Sequence, residues 1–460
     1  MKRRNFLKTC GVGAAATVAS TAAADTRPNL LVIHTDQQSQ WTVSAYGKRI
    51  VETPHIDSLA KDGALLHNFF TNSAVCTPSR GCFLTGRYPH AHGAYKNNIP
   101  MNRDEQTFAS VLRDAGYDTG YAGKWHLDGE PKPGWVGSSR AMGFTDSRYM
   151  FNRGHYKQVT EEPGAYTPTV YLYGVMGDEE TFTTDWLAEK TNDFLRRDRN
   201  RPFCFMVSIP DPHTPFTVRK PYDTQYNPAD MPIPSTLKQK DLPRWAKRDK
   251  KIKDEAWLQK QLAQYCGEVK CIDDSVGRML DCLRETGQLD NTIVVFTTDH
   301  GEYMGEHGLM HKNQIYETAY RLPFLIRWPE KIKSGTVVRN VVSTVDFQPT
   351  ILNLMGVKPC GREQGYDASP LLRSERHNWD DVSWLHHSSL DREGVFTPDY
   401  ELAYVQNNDA VLFDRKNDPD QVRNLFNDAG HQKVIKELTA RIVEHNIAVD
   451  APAAKWLRQM

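Results

Sequence analysis

Asn29-Leu30-Leu31-Val32-Ile33-His34-Thr35-Asp36 is an unbroken apolar run closed by a threonine and an acid, and Thr292-Ile293-Val294-Val295-Phe296-Thr297-Thr298-Asp299 repeats the design far along the chain. Runs without polar alternation mark strands covered on both faces, the habit of parallel sheets flanked by helices. Phe203-Cys204-Phe205-Met206-Val207-Ser208-Ile209 is a third such run. Helical spacing fills the intervals. Phe108, Val111, Leu112 and Ala115 stop at Gly116, a segment runs from about Phe182 to Arg197, and a long stripe from Leu258 through Val269 and Val276 to Leu283 ends at Gly287. The pattern predicts an α/β fold whose large domain has a mostly parallel central sheet between helices.

In open α/β sheets, ligands gather beyond the carboxyl ends of the strands. Two strands each deliver an Asp there, Asp36 followed by Gln37 and Asp299 followed by His300, which together make an oxygen-rich cation site. Asp at a strand end also serves turns and helix caps, so neither residue decides the matter alone.

Cys76-Thr77-Pro78-Ser79-Arg80-Gly81-Cys82-Phe83-Leu84-Thr85-Gly86-Arg87 carries the chemistry. Pro78 suits a first helical turn, where its missing N–H is no loss. Cys76 then sits just ahead of a helix N-terminus, where free N–H groups favour anions, and Arg80 adds a charge that forks onto oxyanions. An ordinary thiolate would suit this position too. Further on come Gly123-Lys124-Trp125-His126, then Pro210-Asp211-Pro212-His213-Thr214-Pro215, then Gly305-Glu306-His307-Gly308-Leu309-Met310-His311-Lys312. The prolines fix a loop that projects His213 from a strand end.

In this order and spacing these motifs resemble the type I sulfatases, with C-x-P-S-R and the following L-T-G-R complete. The likeness covers roughly residues 28–427, including the late segment Asp414 to Leu425, where Gln421 replaces the usual glutamate. It implies the alkaline-phosphatase-like fold and a Cys76 oxidised to formylglycine by a maturation enzyme. It implies one Ca²⁺ held by Asp36, Gln37, Asp299, His300 and the residue at 76, although Gln37 and His300 stand where the family usually has Asp and Asn. Arg80, Lys124 and Lys312 are then expected to neutralise the sulfate. A hydroxyl of the hydrated aldehyde attacks sulfur, His213 protonates the departing alcohol, and His126 takes the proton that lets sulfate leave. Two other readings are open: a phosphodiester or phosphonate monoester hydrolase of the same superfamily, and a non-catalytic binder of sulfated glycans.

With 57 basic and 57 acidic residues in 460, no global charge draws the chain to nucleic acid. Residues 1–24 resemble a twin-arginine export signal: Arg3-Arg4, a weakly apolar Gly/Ala stretch, then Ala22-Ala23-Ala24. A bacterial periplasmic or secreted protein beginning near Asp25 is expected, with no membrane span and with a sulfated carbohydrate as substrate. Of the eight cysteines, six remain after Cys10 and Cys76, none in a C-x-x-C pair; most are expected to be small buried hydrophobes.

The catalytic domain is expected over 25–372, and a C-terminal α+β subdomain with an antiparallel sheet and a terminal helix over 373–460. Residues 127–180 read as a long insertion in which Trp135, Phe144, Tyr149, Phe151, Tyr156, Tyr166, Tyr171 and Tyr173 either stack on sugars or simply pack. Residues 217–256, Pro-rich and then basic, read as a solvated linker.

Overall fold

The computed structural model describes residues 27–129, 135–162, 165–168 and 175–460. Residues 1–24, read above as an export signal, with Cys10, and Tyr171 and Tyr173 lie outside them. Among the described residues fifteen strands follow in chain order: β1 (Asn29–Thr35), β2 (Ala64–Phe70), β3 (Asp118–Lys124), β4 (Asp146–Phe151), β5 (Val159–Glu162), β6 (Ala165–Pro168), β7 (Phe203–Ser208), β8 (Thr292–Thr298), β9 (Arg321–Leu322), β10 (Phe324–Arg327), β11 (Thr336–Ser343), β12 (Ser383–His386), β13 (Arg392–Phe396), β14 (Tyr400–Val405) and β15 (Val411–Asp414).

The large sheet runs β11-β2-β10-β8-β1-β7-β3-β4, with β9 paired to β2. Its pairings are parallel except those of β9 and β10. Register sets the active edge. Thr35 lies opposite Thr298, His34 opposite Ser208, and Ser208 opposite Gly123, so β1, β8, β7 and β3 finish nearly level. The unbroken apolar runs follow from burial on both faces. Leu30 and Val32 enter one core with Phe83, Phe108 and Phe347. Leu31 and Ile33 enter the other, with Phe205, Ile272, Val276 and Leu283. The latter three lie on the long helix Glu255–Glu285, whose start is capped by the Asp254 carboxylate accepting from the Trp257 N–H at 2.7 Å.

Besides β4, two strands of this sheet, β2 and β11, were not expected. His67 and Asn68 interrupt the first, and the second is edge-like, with Val337 half exposed. The stretch Arg321-Leu322-Pro323-Phe324-Leu325-Ile326-Arg327 is split at Pro323, so β9 pairs β2 while β10 pairs β8 and β2. The expected insertion at 127–180 instead contributes β4 to the sheet edge and the β5–β6 hairpin. Phe144, Phe151 and Tyr156 are buried there, so packing accounts for them. The basic segment is less free than a linker: Arg244 pairs with Asp409, and Arg248 donates to the Leu237 and Gln239 carbonyls. Of the six remaining cysteines, five are buried and Cys360 is exposed.

The second sheet, β12-β13-β14-β15, is antiparallel throughout. Alternation works here as it does not in the large sheet. Leu385, Phe396, Ala403 and Phe413 pack on Phe70, Tyr316 and Tyr320. Val395, Leu402 and Leu412 pack on Ile435, Leu438 and Ile442 of the helix Gln432–Ala448. A polar clamp closes the seam. Glu317 accepts from Arg321 at 2.8 Å and from Arg415 at 2.6 Å, and Arg415 also reaches Asn68 on β2. Gln421 accepts from the Glu317 N–H at 2.6 Å and donates to Glu401. Burial raises the Glu401 carboxyl well above its ordinary range, so a glutamate at 421 would face a second buried acid.

Candidate active site

Asp36 and Asp299 leave adjacent strand ends and are fully buried. Arg80 holds them together: Nη2 donates to Asp36 Oδ2 and Nε to Asp299 Oδ2, both at 2.9 Å. Nη1 is taken by Ser208 Oγ at 2.6 Å and the Lys124 carbonyl at 2.9 Å. Arg80 was expected on the sulfate; its observed partners make it a brace between two carboxylates. The brace leaves Oδ1 of each Asp turned toward a cluster completed by Cys76 and His300, whose four ligand-capable atoms lie within 4.8 Å of one another.

Cys76 opens the helix Cys76–Thr85 as its first residue, rather than standing ahead of it. Its Sγ lies 3.1 Å from His300 Nε2 and 3.8 Å from Asp36 Oδ1. Burial and Asp36 push the thiol up, but Lys124, Lys312 and His300 outweigh them and hold it below its ordinary value. His300 Nδ1 donates to the Gly301 carbonyl at 3.0 Å, which leaves the Nε2 lone pair facing the cluster. Gly301 is required beside it, because a Cβ there would meet the Thr318 carbonyl oxygen at 1.9 Å.

These donors fit a divalent cation: two buried carboxylates with one oxygen each turned inward, one imidazole nitrogen and the side chain at 76. Gln37 lies against them, its N–H donating to Asp299 Oδ1 at 3.0 Å. Its backbone lies in the left-handed region (φ 63°), its Oε1 accepts from Lys312 and its Nε2 donates to the buried Glu302.

Lys124, at the end of β3, is buried and donates to Asp36. Gly123 lets β3 run this close to β7, since a Cβ there would fall 2.0 Å from the Ser208 carbonyl oxygen. Asp36 is held well below the carboxylate range, because Lys124, His213 and Arg80 overcome the effect of burial. His126 is 4 % exposed, and among the described residues neither ring nitrogen has a partner. Burial, then Lys124 and Arg80, keep its imidazole neutral. Its carbonyl accepts from Thr77 Oγ1 at 2.9 Å, tying it to the start of the Cys76 helix. His213 and Lys312 meet at the mouth, Nε2 to Nζ, at 2.9 Å, while His213 Nδ1 donates to the Thr214 carbonyl at 2.7 Å.

The structure thus brings together Asp36, Cys76, Arg80, Lys124, His213, Asp299, His300 and Lys312, with His126 beside them. Two members were not foreseen. Glu302 sits behind Gln37, and His155 stacks on His213 with ring centroids 3.6 Å apart. A single histidine in an irregular segment carries no periodic signal.

A family model described as Sulfatase matches residues 28–357, and one described as N-sulphoglucosamine sulphohydrolase, C-terminal, matches 305–448. The chain is similar to an N-acetylglucosamine-6-O-sulfatase of Bacteroides thetaiotaomicron, 28% identical over 91% of this chain and 86% of that one. It is similar to an ulvan-active sulfatase of Formosa agariphila, 28% identical over 91% and 80% of the two chains. A solved structure of a protein in complex with its substrate D-glucosamine-2-N,6-O-disulfate shares the fold, with a TM-score of 0.78, 26% identity, and coverage of 93% of this chain and 99% of that one.

Proposed function

The chain belongs to the sulfatase family of the alkaline-phosphatase-like superfamily and is a sulfuric ester hydrolase, and we propose that it is an exported enzyme removing sulfate from a sulfated carbohydrate, with a formylglycine made from Cys76 and a bound Ca²⁺. The observation that carries this reading is the buried cluster of Asp36, Cys76, Asp299 and His300, walled by Lys124 and Lys312. Relatives that act on N-acetylglucosamine sulfate and ulvan favour a carbohydrate ester. Export rests on the twin-arginine pattern at the start of the chain.

Asp36, Asp299 and His300 would hold the cation together with the side chain at 76; carboxylate oxygens suit Ca²⁺, and the imidazole also admits a transition metal. Bound there, it supplies charge neutralisation to the sulfate oxygens. Arg80 and Lys124 already balance the two aspartates, so Lys312 adds positive charge that an anionic ester meets at the mouth. The hydrated aldehyde at 76 supplies the hydroxyl that attacks sulfur. His213 faces Lys312 through Nε2 with its Nδ1–H fixed on Thr214, so Nε2 is the atom through which a proton drawn from the Lys312 ammonium passes to the departing oxygen. His126, neutral and without a partner among the described residues, takes the proton that frees sulfate from residue 76.

The deciding experiment assays protein matured in a host with the oxidising machinery. Substrates are N-acetylglucosamine-6-O-sulfate and D-glucosamine-2-N,6-O-disulfate, ulvan fragments, para-nitrophenyl sulfate, and a matching phosphate diester and phosphonate. Turnover of a sulfated saccharide well above the phosphorus esters is expected, with peptide mass spectrometry showing residue 76 lighter than cysteine. Preference for the phosphorus esters, or full activity with unmodified Cys76, would overturn the reading.

A further inference from the structure

His155 lies between β4 and β5, and its imidazole lies flat on that of His213, with ring centroids 3.6 Å apart and planes within 3°. Each ring accepts from a lysine through Nε2: His155 from Lys124 at 2.9 Å, His213 from Lys312 at 2.9 Å. An ammonium only donates, so both Nε2 atoms are acceptors here. Two parallel lysine–histidine pairs therefore stand face to face at the mouth of the site, one reaching Asp36 through Lys124 and the other reaching Gln37 through Lys312.

The stack is registered by a second link two residues along each segment. Lys157 Nζ donates to Asp211 Oδ1 at 2.5 Å and also to Glu268. Thr184 Oγ1 holds the other Asp211 oxygen at 2.7 Å, and Glu268 also accepts from the Thr217 N–H at 3.0 Å. Residues 155 and 157 thus grip residues 213 and 211. Burial of Lys157 disfavours its charge, but Asp211 and then Glu268 outweigh burial and raise its pKa. The link is a buried, charged contact of the kind that fixes geometry.

A loop fastened in this way needs no second imidazole to keep its fold. What the ring adds is a plate that stops His213 rotating about its Nδ1–Thr214 bond and an acceptor that points Lys124 at Asp36. Phenylalanine could be the plate and glutamine the acceptor; histidine is both. We propose that His155 is a positioning residue for departure of the alcohol, acting through His213, and that it biases the enzyme toward esters with poor leaving groups. The inference rests on the reading of His213 as proton donor. Sugar alkoxides need that proton, whereas a nitrophenolate leaves without it.

The test compares wild type, His155→Ala, His155→Phe and His213→Ala on the best sulfated saccharide of the panel and on para-nitrophenyl sulfate, with cation content and thermal midpoint measured for each. His155→Ala is expected to lower kcat on the saccharide by about 10–100-fold with KM little changed, because a misplaced donor costs rate rather than binding. On the aryl ester the loss should stay within about threefold, and His155→Phe should recover most of the saccharide rate. If the alanine variant fails to fold, the phenylalanine variant with its plate intact must still show near-normal discrimination between the esters. Equal losses on both esters from His155→Ala, with His213→Ala still discriminating, would overturn the inference alone. Equal losses from His213→Ala would overturn the reading of His213 and the inference with it.

Discussion

Two buried clusters in this molecule use opposite stoichiometries. At the active edge one arginine, Arg80, serves two carboxylates, and each keeps an oxygen turned away from it. At the seam with the small sheet two arginines, Arg321 and Arg415, serve one carboxylate, Glu317, and both of its oxygens are consumed. The seam is closed and has nothing left to bind. The active edge is held rigid with both cations on the Oδ2 side of the aspartates, and one oxygen of each Asp faces the cluster, the geometry for taking up a cation and, through it, an anion. Burial and ion pairing are common to both, so neither property alone marks function. The oxygens turned toward the shared cluster of Asp36, Cys76, Asp299 and His300 do.

The largest effect is expected where those oxygens are removed. Asp36→Ala or Asp299→Ala should abolish cation binding by elemental analysis and lower kcat/KM by ~10³-fold or more. Each also strands part of Arg80 in a dry site, at a cost of about 3–5 kcal/mol in stability. Full cation occupancy in both variants would show that the open oxygens are not ligands, and the contrast with the seam would lose its meaning.

The two strand tips sharpen the point at intermediate scale. β1 and β8 end alike, yet His300 turns Nε2 into the cluster while the left-handed backbone at Gln37 sends its amide to Lys312 and Glu302. His300→Ala is therefore expected to weaken cation affinity by at least ~10–100-fold by titration calorimetry. Gln37→Ala should keep the cation and raise KM by roughly tenfold, because Lys312 loses its anchor and Glu302 a donor. If Gln37→Ala empties the site as His300→Ala does, the two tips are equivalent ligands after all.

This divergence also marks how far the sequence could be read. Strands β1, β7 and β8 declared themselves because both faces are buried and the middle of each is a continuous apolar run. The motif residues were legible because each lies at or just beyond a strand end or on the Cys76 helix. Strands β2 and β11 were not, since His67 and Asn68 in one and an exposed Val337 in the other break the apolar run. At Gln37 the residue type suggested a ligand, whereas the amide's contacts with Lys312 and Glu302 depend on a left-handed backbone angle of which composition carries no trace. The positions of Arg80 and His155 depend on contacts with residues over 50 positions away, such as Asp299 and His213. Only the assembled fold shows these.

The smallest effect is expected at the seam, and it should leave chemistry untouched. Burial works against the Glu317 charge, but Arg415 and Arg321 outweigh it and hold the carboxyl at about 2, with the side chain 13% exposed. A depressed folded-state value stabilises the protein above the unfolded-state range and loses that stabilisation as pH falls through the folded value. The contribution is about 3 kcal/mol near neutral pH. Glu317→Gln should lower thermal stability accordingly at pH ~7, and the gap from wild type should shrink to about half by pH ~3, since the wild type is then losing what the variant never had. Activity on para-nitrophenyl sulfate at neutral pH should stay within roughly twofold, because the clamp lies outside the cluster of Asp36, Cys76, Asp299 and His300. Thermal unfolding followed across this pH range decides it. A gap that holds constant with pH would mean that Glu317 acts through packing or its backbone bond to Gln421, and that the seam is no electrostatic counterpart of the active edge.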